Sequence, residues 1–114
     1  MKYAEIAEGF VSNLTNLSVK ELEKAYQKEF GTSIKIAHAE FIKLEKGSNA
    51  TYKVASKDEE TGEYIINDFY LSHYVQGGVK LDDVSPMPEE IFASKTEAVN
   101  YVKNNPKAKK ALRK

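Results

Sequence analysis

Apolar positions recur at spacings of three and four at the start of the chain. Tyr3, Ile6, Ala7, Phe10, Val11 and Leu14 fall on one stripe if residues 3–14 are helical. A polar break at Thr15 and Asn16 follows. Ser18-Val19-Lys20-Glu21 then has the spacing of a capping box, in which the Ser18 hydroxyl accepts from the Glu21 amide and the Glu21 carboxylate reaches back to the Ser18 amide. It predicts a second helix over 19–30, with Val19, Leu22, Tyr26 and Phe30 as the apolar stripe and Gly31 as a left-handed stop. The period then shortens to two. Ile34, Ile36, Ile42 and Leu44 occupy alternate positions in Ser33 to Glu45, which predicts a half-buried strand, and Gly47-Ser48-Asn49 turns it into a partner, Ala50 to Ser56. An acidic turn at 58–62 leads to Glu63 to Gln76, a run rich in aromatic and β-branched residues. Gly77-Gly78 fits either a tight turn into a fourth short strand, Val79 to Val84, or a bulge.

Pro86 and Pro88 lack the amide proton that a ladder needs, so residues 85–89 are expected to be irregular, with Ile91-Phe92 a short edge strand. Ser94-Lys95-Thr96-Glu97 repeats the capping-box spacing and opens a helix carrying Ala98, Val99, Tyr101 and Val102, which Asn105-Pro106 ends. The expected fold is therefore α+β: two N-terminal helices, an antiparallel three- to four-stranded meander and a C-terminal helix, the helices packed on one sheet face. Residues 1–105 form a single domain, followed by 106–114 as a basic C-terminal tail or short helix.

Composition narrows the chemistry. A chain of 114 residues is long enough to bury a single core and too short for two independent ones. Without Cys there is no disulfide framework, thiolate zinc site, iron–sulfur cluster or cysteine nucleophile. Glu5 and Glu8 interrupt the place where a signal peptide needs an apolar core, and no stretch approaches ~18 apolar residues, so a cytoplasmic protein away from the membrane is expected. The formal net charge of zero conceals a polarised layout: nine Lys and seven acids to Lys57, two Lys and ten acids over 58–97, then six bases and no acid from Ala98 onward.

Nucleophile elbows, phosphate loops and zinc signatures are missing, so no cofactor is expected and an enzyme is disfavoured. Three constellations remain. His38 and Glu40 interrupt an apolar row and could meet His73 as a metal site or acid/base pair; a bulge at Phe41-Ile42 would instead turn Ala37, Ala39 and Phe41 inward and leave His38 and Glu40 in water. Tyr64, Asp68, Tyr70 and Tyr74 share one row of the third strand, where large, low-entropy phenol side chains suit partner recognition, with Asp82 and Asp83 beside them for steering. Lys103, Lys107, Lys109, Lys110, Arg113 and Lys114 could neutralise phosphates.

The element order resembles the double-stranded-RNA-binding domain, and Ser94-Lys95-Thr96-Glu97-Ala98 is similar to the start of that family's second helix. The likeness covers that order and about five residues. Where the family sets several lysines against phosphate, this chain has Glu89, Glu90 and Glu97 around Lys95, so no site residue transfers. The expectation is a non-catalytic protein-binding module, an accessory factor or inhibitor of the kind a phage or mobile element carries. Its partner is another protein, or a second copy in a homodimer; the alternative is a nucleic-acid-binding protein using the basic end.

Overall fold

A computed structural model describes residues 14–45, 49–74 and 77–104. Its elements are α1 (Val19–Phe30), β1 (Lys35–Glu45), β2 (Asn49–Lys57), β3 (Tyr64–His73), β4 (Val79–Phe92) and α2 (Lys95–Asn104). The strands form one antiparallel sheet in the order β1-β2-β3-β4, a simple meander. Among the described residues one helix, not two, precedes the sheet. The stretch 3–14 expected as the first lies outside the described residues apart from Leu14. No helix among the described residues is long and apolar enough to cross a membrane.

Helix α1 is closed at both ends by the local chemistry the sequence carries. Ser18 Oγ accepts from the Glu21 amide at 3.1 Å, and Glu21 Oε1 accepts from the Ser18 amide at 2.8 Å. At the other end Gly31 adopts φ 78° and donates its amide to the Gln27 carbonyl at 2.8 Å. From mid-helix, Glu23 accepts the Ile36 amide at 2.9 Å and so ties α1 to the start of β1.

Register decides which helix each strand residue meets. In β2, Ala50, Tyr52 and Val54 join Leu14, Leu22 and Ala25 with Phe69, Leu71 and Leu81 in the larger core. Their neighbours alternate to the other side, where Ala55 meets Ile66, Ala98 and Val102 in a smaller one. The two helices thus lie on opposite faces of the sheet, which corrects the expectation that they share one. The cause is the pleat: Val54 and Ala55 are adjacent and both fully buried, so each face needs its own cover.

Strand β4 is a second correction. It runs 14 residues and passes through both prolines, with Pro86 paired to Asn67. An edge strand tolerates proline because an outward amide has no ladder partner to lose. The prolines still disturb the pairing: between Pro86 and Ile91, residues 87–90 stand against Ile66 alone. Ile91 and Phe92 are the end of this strand and not a separate one.

Candidate binding surface

The face that carries α2 is polar over the rest of its width. Cross-strand pairing sets Glu40, Lys53, Asp68 and Ser85 in one row and Lys43, Thr51, Tyr70 and Asp83 in the next. Lys53 anchors the first row. Its side chain is 9% exposed, and its Nζ donates to Asp68 Oδ1 at 2.9 Å and lies 3.2 Å from the Met87 sulfur. Met87 reaches it from the irregular stretch of β4, where the extra residues free that side chain to turn across the sheet.

Tyr70 stands half-buried in the second row. Burial raises its phenol above the ordinary value, and the nearby carboxylates of Asp68 and Asp83 raise it further; Lys43 and a hydrogen bond with Ser85 act in the opposite direction. Asp82 and Asp83 are exposed beside Tyr70. Asp82 accepts from the Ser72 hydroxyl at 3.1 Å and lies 3.9 Å from Lys80 Nζ, while Asp83 accepts the Val84 amide at 2.9 Å.

The other two tyrosines of the row go elsewhere. Tyr64 pairs with Phe92 and packs against the core under α2. Tyr74 falls just beyond the end of β3, where its amide donates to Gly78 across the turn at 3.0 Å. There Lys28 of α1 sits 4.3 Å above its ring and Lys80 6.0 Å from it. Of the three, Tyr70 alone remains on the polar part of the face.

His38 and Glu40 also face this side, as a contact of 2.7 Å between Nε2 and Oε2. Two bulges place them there. β1 carries extra residues at Ala37 and Ile42, so Ile36, Ala39, Phe41 and Leu44 all point toward α1 while the His–Glu pair points away. His73 is paired with Val79, a residue of the α1 core, and its Nδ1 lies 3.2 Å from the Gly78 carbonyl, so it does not join His38. Among the described residues no group of three or more His, Asp or Glu is placed to hold a metal ion. Lys103 is exposed in the last turn of α2, and Lys107, Lys109, Lys110, Arg113 and Lys114 lie outside the described residues.

Sequence reasoning passed over Lys53 and Ser56 and assigned no role to Asn67, three polar residues that are more than nine-tenths buried. A signal existed for one of them: Asn67 interrupts the otherwise apolar row of Ile65, Phe69 and Leu71. No protein-family model, curated protein or solved structure matches this chain. The likeness to the double-stranded-RNA-binding domain is thus one of element order.

Proposed function

We propose that this chain is a small non-catalytic module that binds a basic protein surface through the part of the sheet around Tyr70, Asp82 and Asp83. The observation that supports it is the setting of Tyr70: a half-buried phenol on the polar part of the face, paired across the strands with Asp83 and beside a second exposed acid, Asp82. Tyrosine so placed offers a large contact area with little rotamer entropy to lose, plus one oriented donor. Asp68, locked to Lys53 at 2.9 Å, fixes the floor behind the ring and is not itself a steering charge. Ten acids against two lysines over 58–97 give this region the sign that attracts a basic partner, including the phosphate-binding face of a nucleic-acid-binding protein, which the module would block as an inhibitor.

Affinity capture from host lysate with four chains tests it: the native sequence, Tyr70→Ala, Asp83→Lys, and a chain cut after Asn105. A specific partner should be lost with either substitution, by about 2 kcal/mol or some thirtyfold for an anchoring tyrosine, and kept by the shortened chain. Thermal midpoints within a few degrees of native confirm that the fold persists. Binding that survives Tyr70→Ala and Asp83→Lys but vanishes with the basic end would overturn the proposal in favour of phosphate recognition; a dimer in sedimentation that Tyr70→Ala dissolves would make a second copy the partner.

A further inference from the structure

On the sheet face opposite Tyr70, helix α1 stops short. It ends at Phe30 with the left-handed Gly31 cap, and a cleft of about 390 Å³ is lined by Tyr26 of the helix, residues 33–35 leading into β1, the end of β2 and the start of β3. That is the volume of a small-ligand site. Its floor is unusual for this face. Ser56 is 2% exposed and Asn67 8% exposed, both line the cleft, and neither side chain has a hydrogen-bond partner among the described residues. Among the described residues no fully buried side-chain nitrogen or oxygen lacks a partner, so the polar atoms of these two side chains reach the cleft and are open to whatever occupies it.

The walls and mouth supply the apolar part. Tyr26, Ile34, Ile65 and Val84 line the sides. The large hydrophobics that are exposed among the described residues, Phe30 and Ile91, adjoin this wall: Phe30 packs on Tyr26 with ring centroids 4.8 Å apart, and Ile91 is paired with Ile65. The rim is balanced in charge, with Lys35 and Glu59 3.6 Å apart and Lys57 next to Asp58.

We infer that this cleft binds a small, neutral, flat molecule that presents a donor and an acceptor side by side on one edge, as a nucleobase or a primary carboxamide does. The Asn67 carboxamide offers the complementary pair, the Ser56 hydroxyl a third bond, and Tyr26, Ile34, Ile65 and Val84 supply apolar contact for the ring. The floor is neutral and the rim carries two lysines and two acids, so the site as a whole favours neither sign of ligand charge. This site is independent of the Tyr70 surface and stands or falls separately.

Nitrogen–proton correlation spectra of the full chain, titrated with adenine, nicotinamide and benzoate, provide the test. Adenine or nicotinamide should shift the Asn67 side-chain amide signals saturably at millimolar concentration, and whichever binds tighter identifies the source of the edge. Benzoate, flat and of similar size but without a donor, should not. Asn67→Leu should weaken binding at least tenfold while leaving the thermal midpoint equal or higher, because the amide faces the cleft and its replacement breaks no hydrogen bond within the described fold. Ser56→Ala should weaken it severalfold and is decisive if the Asn67 variant fails to fold. Absence of shifts at Asn67 up to probe solubility, equal response to benzoate, or binding retained by both variants would overturn the inference, as would a lowered midpoint in a folded Asn67→Leu chain.

Discussion

Tyr52 joins three parts of the molecule through one oxygen. Its ring is buried in the larger core, its hydroxyl donates to the Leu14 carbonyl, and it accepts the Leu17 amide at 2.9 Å, so the segment before α1 is held to the centre of the sheet. Tyr52→Phe leaves both backbone groups without their partner and should cost about 1–3 kcal/mol in denaturant unfolding. The same residue gives the alkaline limit. Burial raises the Tyr52 and Tyr70 phenols above 10.0, so above about pH 10 the unfolded chain releases protons that the folded chain still holds. These groups leave stability unchanged below that pH and reduce it as pH climbs beyond; unfolding curves taken from pH 8 to 11 should show the decline, shallower in Tyr52→Phe. Lys53 makes a related point about buried charge. Lys53→Ala strands the Asp68 carboxylate, a quarter of which reaches solvent, and should cost about 1–3 kcal/mol. Lys53→Met combined with Asp68→Leu removes both charges and should recover most of that loss, a non-additivity that a double-mutant cycle measures directly.

At the scale of elements, α1 owes its limits to two residues. Ser18→Ala removes the acceptor for the Glu21 amide and should cost about 1 kcal/mol. Gly31→Ala should cost a similar amount, about 1 kcal/mol, from the backbone alone: φ is 78° and no atom lies within 4 Å of where a Cβ would stand. Thermal melts of the two single variants and the double variant check both values. These caps were legible in the sequence because each acts within four residues of itself. The faces of β1 were only half legible. The Phe41-Ile42 doublet hinted at one bulge, but the second, at Ala37, arises from pairing with β2, and both are needed to bring Ile36, Ala39, Phe41 and Leu44 to one side. The length of β4 was hidden for the same kind of reason: a proline forbids a central strand but not an edge, and position in the sheet is a property of the whole meander. Tyr64, Tyr70 and Tyr74 share a row in sequence, yet α2, the polar strip and α1 each claim one of them.

Across the whole molecule, placing one helix on each face turns the sheet into a shared wall between a large core and a small one. The small core leaves most of its face to Lys53, Tyr70 and their neighbours, which is why the polar strip lies beside α2 and not beneath it. Charge is divided along the chain in the same uneven way. Cutting after Asn105 removes five bases and no acid, which takes the formal net charge from 0 to −5. If the acidic side of the sheet meets a basic partner, the intact chain carries a basic end that opposes this attraction, and removing it should speed association. The gain belongs to long-range steering, so it should appear in the on-rate at low ionic strength and fade as the Debye length shrinks from about 30 Å at 0.01 M to about 3 Å at 1 M salt. The off-rate should hardly change, because the contacts around Tyr70 are the same in both chains. Surface-plasmon-resonance kinetics of the intact and shortened chains against the captured partner, across a salt series, read the two rates separately. A shortened chain that associates more slowly at low salt would assign the steering to the basic end and not to the carboxylates of the sheet.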